Sequence, residues 1–93
     1  GKRESIKQII EKHYQHLSKK QQLVASFVLK NFTFVATHAA HEVGQRTNTS
    51  ETTVIRFCYE LGLEGYAHLQ KEITVYLFNQ PSSHRKNSNS FFG

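Results

Sequence analysis

Between Val43 and Phe57 the residue types follow the order of two helices packed across a tight turn. Val43 then Gly44 gives an apolar anchor followed by a residue with no side chain, which lets a second helix approach closely. Asn48 supplies a turn position of positive φ, because Asn is among the few non-glycine residues that enter the left-handed region readily. Thr49 follows the turn, and Ser50 can cap the next helix by accepting from its free first-turn amides. Val54 and Phe57 then face inward. Left on the outward side of the first turns are Ser50, Glu51, Thr52, Thr53 and Arg56. Short hydroxyl side chains there can reach phosphates or base edges, and an arginine can bond a guanine with two hydrogen bonds or a phosphate with one. That is the chemistry of the second helix of a helix-turn-helix unit, which reads duplex DNA in the major groove. Arg46 and Thr49 ahead of this helix, and the backbone amides of Tyr66 and Ala67 opening a later one, are further candidates for phosphate contacts. A blander reading makes the same residues a solvated helix face, with Arg56 paired to Glu60 at i+4.

The elements that must hold this segment are legible as helical periodicity. Ser5 is placed to cap a first helix running to about His16, with Ile6, Ile9, Ile10 and Tyr14 on one face. Ser18 is placed to cap a second, Lys19 to Asn31, whose Leu23, Val24, Phe27 and Val28 form one apolar stripe. Phe32 to Thr37 reads as a short helix or turn, and Ala40 to Gln45 as the helix before the polar break Arg46 to Thr49. Ser50 to Leu61 is the proposed reading helix, ended by Gly62 as a left-handed C-terminal residue. Gly65 precedes a last helix from Tyr66 to Asn79, and Pro81 marks its limit. Phe27, Phe32, Phe34, Tyr66 and Tyr76 fall at core spacing rather than on one exposed stacking face. The expectation is an all-α domain of five to six helices over residues 5–80. Residues 1–4 are expected to be a flexible N-terminus or cloning scar, and 81–93 a polar tail opening a linker, with Phe91 and Phe92 at its end.

Composition bounds the rest. Ninety-three residues make one domain, and twelve Lys and Arg against seven acids give a net charge of +5, which favours a polyanionic partner. The single cysteine, Cys58, rules out an intramolecular disulfide and fits a reducing, cytoplasmic setting. No apolar run approaches the length of a membrane span, and no signal peptide opens the chain. An enzyme reading lacks any Asp, a Gly-rich phosphate loop or a nucleophile with a His partner. The pairs His13/His16 and His38/His41 stand at i, i+3, but the ligand set of a structural metal site is missing, so no metal and no cofactor is expected. Cys58 reads as a small buried residue rather than a redox sensor. The rival class is a helical protein–protein or dimerisation module that binds no DNA.

Ser50-Glu51-Thr52-Thr53-Val54-Ile55-Arg56-Phe57-Cys58, then Leu61-Gly62 and Gly65-Tyr66, resembles the N-terminal domain of bacterial RpiR-family transcriptional regulators. Leu17-Ser18, Gln22, Val24-Ala25 and Val28-Leu29-Lys30-Asn31 match that family's second helix, so the resemblance covers about residues 5–80. It implies a homeodomain-like helical core that binds DNA, in a homo-oligomer whose separate sugar-isomerase-type domain binds a phosphorylated sugar and controls sugar-metabolism genes. The chain departs from the family pattern at four places. Gly44 stands where Ala is usual, Asn48 replaces the turn Gly, and Thr49 replaces an apolar residue. Ala39 stands where a capping Ser is expected, leaving Glu42 without its capping partner unless Thr37 or His38 substitutes.

Overall fold

The computed structural model describes residues 4–80. Six α-helices and one 3₁₀ turn make up this region: α1 (Ile6–His13), the 3₁₀ turn Tyr14–His16, α2 (Lys19–Lys30), α3 (Phe32–Thr37), α4 (Ala40–Arg46), α5 (Glu51–Glu60) and α6 (Tyr66–Phe78). The all-α expectation holds, at the upper end of the expected helix count. Expectations for residues 1–3 and for the tail with Phe91 and Phe92 lie outside the described residues.

Local chemistry sets the helix ends. Ser5 and Gln8 form a reciprocal capping box at α1, and Ser18 with Gln21 repeats it at α2, the side chain of each serine accepting from the third helical amide at 3.2 Å. The first helix stops sooner than its apolar pattern suggests. Its last turn tightens to 3₁₀ geometry, and the Gln22 side-chain amide donates to the Tyr14 carbonyl at 2.9 Å, tying that turn to α2. Asn31 does end α2, but at φ −141° rather than in the left-handed region, with its side chain donating to the Phe27 carbonyl.

One core joins the six helices. Ile10, Val24, Val28, Val35, Val43, Val54, Phe57, Leu69 and Ile73 are each wholly buried in it, so every α-helix contributes. Within this arrangement α3 lies on α6, α1 on α6, and α5 on both α2 and α4. The long helix α6 also satisfies polar groups at the end of α3. The Tyr66 hydroxyl lies 2.6 Å from the His38 carbonyl and 2.9 Å from that of Val35, and Gln70 Nε2 donates to the same two carbonyls at 3.0 and 3.1 Å. The loop entering α4 is therefore fastened from below.

Candidate nucleic-acid interface

The α4–α5 pair is built by backbone-to-backbone contact. A Cβ placed on Gly44 would lie 2.8 Å from the Ser50 carbonyl carbon and 3.0 Å from the Glu51 nitrogen. Glycine here does more than permit close packing, because at this helix separation no side chain fits. Across the turn, the Thr49 amide donates to the Gly44 carbonyl at 2.8 Å, and Asn48 takes φ +57°, as its residue type predicts. Thr47, nearly buried, donates its hydroxyl to the Val43 carbonyl at 2.9 Å, and the Thr49 hydroxyl donates to Thr47 Oγ1 at 2.8 Å. Thr47 is the turn residue that sequence reasoning missed. The visible signal was a threonine four residues after Val43, the spacing at which its hydroxyl reaches back to a helical carbonyl.

Ser50 caps α5, its Oγ accepting from the Thr53 amide at 3.2 Å and lying 3.1 Å from Thr53 Oγ1. Val54, Phe57 and Cys58 are wholly buried and Leu61 nearly so, which fixes the rotation of the helix. The far end closes as a Schellman motif. Gly62, at φ +85°, donates to the Tyr59 carbonyl at 2.9 Å, and Leu63 donates to the Cys58 carbonyl at 3.0 Å.

With that rotation set, Ser50, Glu51, Thr52 and Arg56 are exposed and Thr53 is half-buried. Thr52, Arg56 and Tyr59 fall at i, i+4 and i+7, forming one outward stripe opposite the buried face. Arg56 has no ion-pair partner among the described residues, so the pairing with Glu60 does not form. Tyr59 is 58% exposed on this stripe. Sequence reasoning passed over it, although its spacing from Arg56 already placed it there.

The four candidates for phosphate contacts are placed differently. The Arg46 guanidinium lies 4.6 Å from the centre of the Phe34 ring, a cation–π contact that holds it at the exit of α4. His38 is stacked on the same Phe34 ring, with centroids 3.8 Å apart. Thr49 has its hydroxyl proton committed to Thr47. Tyr66 and Ala67 open α6, which no side chain caps, but the Tyr66 hydroxyl is spent on Val35 and His38. Their amides follow α5 in the chain, after the short loop over residues 61–65.

The departure at Ala39 resolves into specific geometry. Ala39 caps α4 without a side-chain acceptor, and Glu42 supplies the reciprocal half alone, its carboxylate accepting from the Ala39 amide at 2.9 Å. Neither Thr37 nor His38 substitutes. Both turn back to α3, Thr37 donating to the Thr33 carbonyl and His38 Nδ1 lying 2.9 Å from the Phe34 carbonyl. The histidine pairs also lose their assumed geometry, since His13 ends α1 while His16 ends the 3₁₀ turn, and His38 precedes α4 while His41 lies within it. Among the described residues no three His, Cys, Asp or Glu side chains gather as a metal site would need.

Burial pushes the Cys58 thiol up to about 12 and the Tyr66 phenol up to about 12, the latter helped by the nearby Cys58 and Glu42. Both groups keep their protons in the folded domain at pH values where the unfolded chain releases them. Stability from this source is complete below about pH 9 and is lost as pH rises toward 12. Urea unfolding at stepped pH is expected to show that alkaline decline. A thiol reagent at neutral pH should modify Cys58 only as the domain unfolds, and prompt modification would contradict this burial.

Charge is distributed unevenly. Over residues 4–80 eight Lys and Arg stand against seven Glu, a net +1, so four of the chain's twelve cations (Lys2, Arg3, Arg85 and Lys86) lie outside the described residues. The basic hint in the composition is thus weak over residues 4–80, where local placement carries the electrostatics. One local feature is a shallow notch between the start of α2 and α5, lined by Ser18, Lys19, Lys20, Gln21, Thr53 and Arg56.

Comparison with known proteins agrees with this geometry. Residues 4–80 match the helix-turn-helix domain of the rpiR family. An uncharacterized HTH-type transcriptional regulator of Caldanaerobacter subterraneus is 37% identical over 57 residues, 61% of this chain and 20% of that protein. Another from Haemophilus influenzae is 27% identical over 64 residues, 69% of this chain and 22% of that protein. The chain thus spans about a fifth of the length of these curated relatives. The crystal structure of the N-terminal domain of ybbH from Bacillus subtilis superposes with a TM-score of 0.77 at 25% identity, covering 83% of this chain and 93% of that one. The tight α4–α5 pair and the match over the whole described region lead to one assignment: the chain belongs to the rpiR family of helix-turn-helix domains.

Proposed function

We propose that this domain binds double-stranded DNA sequence-specifically, with α5 lying in the major groove and Ser50, Glu51, Thr52, Thr53 and Arg56 as its contact face. The observation that carries the reading is the outward stripe on α5. Its polar side chains have no competing partners across the helix surface, while backbone contact at Gly44 and four inward side chains fix its orientation. A preorganised stripe of this kind can meet base edges without first breaking protein contacts. Thr52 and Arg56 are placed for bases, whereas Ser50 and Thr53, engaged in the cap, suit phosphate or water-bridged contacts. Arg46, steadied on Phe34, is placed for a backbone phosphate. Thr49, whose hydroxyl is engaged with Thr47, and the amides of Tyr66 and Ala67 at the uncapped start of α6 are further phosphate candidates.

In the full-length protein this domain serves a homo-oligomeric, cytoplasmic regulator of carbohydrate-metabolism genes, with a phosphorylated sugar as effector bound by another domain. That part rests on the family resemblance. A dimer would read two half-sites about 34–36 Å apart.

The test is selection of a preferred duplex from a randomised pool, followed by anisotropy titrations on the selected and on mixed-sequence duplexes. Arg56→Ala should weaken binding to the selected duplex by about 5- to 150-fold, the equivalent of one good base contact, and narrow its preference over mixed sequence. Equal affinity for native and variant removes Arg56 from the contact face. Absence of salt-sensitive DNA binding, even from an artificially dimerised domain, would overturn the reading in favour of a protein–protein module.

A further inference from the structure

We propose that Lys19 and Lys20, in the notch they share with Arg56, seat a DNA backbone phosphate beside the helix in the major groove. This rests on α5 being the reading helix. Lys19 and Lys20 are the first two residues of α2, and both are exposed. That position is electrostatically unfavourable for a cation, because the N-terminal end of a helix carries partial positive charge. No acid occupies the first turn of α2 to offset it; the capping box there uses the neutral Gln21. Neither lysine has an ion-pair partner among the described residues. Two adjacent cations have therefore been placed where the fold itself disfavours them, in a domain whose described part is close to neutral. An anion from outside the chain completes such an arrangement.

The packing of α2 on α5 says which anion. The notch is shared with Thr53 and Arg56, so it opens on the flank of the reading helix. A helix with its side chains is about 10–12 Å across and the major groove about 12 Å wide. A helix lying in the groove thus brings its flanks against the sugar–phosphate walls, and the notch faces one wall while Thr52 faces the bases. Arg56, between notch and stripe, can serve either. Phosphate contacts of this kind fix register and add affinity without reading sequence.

The experiment measures affinity of the 93-residue chain for the selected and for mixed-sequence 30-base-pair duplexes across a salt series. Each phosphate contact contributes about 0.9 to the slope of log affinity against log salt. Lys19→Gln/Lys20→Gln is expected to reduce that slope by about one to two and to weaken both duplexes by the same factor. Its melting temperature should stay level or rise, since two misplaced charges leave the start of α2. Lys30→Gln/Lys71→Gln removes the same charge from the far end of α2 and from α6, and should leave the slope near the native value. Equal slopes for the two double variants would overturn the notch while leaving α5 as reading helix. No binding to any duplex, by the native chain or by its artificially dimerised form, would overturn both.

Discussion

Phe57→Ala is expected to destabilise the domain by about 3–5 kcal/mol, the cost of removing a large side chain from a close-packed interior. Phe57 is the largest of the wholly buried side chains and projects from the inner face of α5, the helix that packs on both α2 and α4. Its neighbours Val54 and Cys58 hang from the same helix and cannot fill the space without moving it. Small domains have about 5–15 kcal/mol in total, so this one change removes a large share. Each kcal/mol moves the melting midpoint of a domain this size by about 4–8 °C. Thermal and urea unfolding followed by circular dichroism measure it directly. A loss below about 1.5 kcal/mol would mean that α5 is not anchored by this core, and the fixed rotation of its outward stripe would lose its basis.

The second large effect is expected at Gly44. In Gly44→Val a Cβ meets the Ser50 carbonyl carbon at 2.8 Å and the Ser50 oxygen at 3.1 Å, and two further methyl groups must enter the same contact. The obstacle is backbone rather than the end of a flexible side chain, so relief requires α4 and α5 to separate. Overpacking of this severity costs about 3 kcal/mol, the upper part of the usual range. Gly44→Ala meets the same first clash but recovers about 1 kcal/mol of helix propensity, so its net loss should be distinctly smaller. Both variants shift the first turn of α5, and DNA affinity should fall even where the domain stays folded. A valine variant as stable as the native chain would show that the helix pair is more loosely held than its geometry indicates.

Gly44 also shows where sequence reasoning stopped. Its place after Val43 predicts that a second helix approaches closely, while the family's usual alanine implies room for a Cβ. What decides its role is the distance to a backbone segment six residues on, which spacing along the chain does not carry. The same limit applies to Thr37 and His38, which by position were plausible caps for α4. The carbonyls at the end of α3 were nearer, and both side chains turned to them. Lys19 and Lys20 illustrate it again: two lysines following a capping serine look like a solvated helix start until α2 is laid against α5.

The stretch from Ser50 to Leu61, by contrast, was legible in all but the exposed Tyr59. Its cap, its inward residues and its left-handed end are local matters, set by hydroxyl-to-amide reach, by the 3.6-residue period and by the freedom of Gly62. The sequence by itself determined that a capped amphipathic helix carries Thr52 and Arg56 outward, because those facts depend only on neighbours within a few residues. Only the tertiary structure decided how closely α4 approaches it, that Arg46 rests on Phe34, and that two lysines from α2 share a notch with Arg56. Those contacts join residues far apart in the chain, and their distances follow from how six helices fill one core.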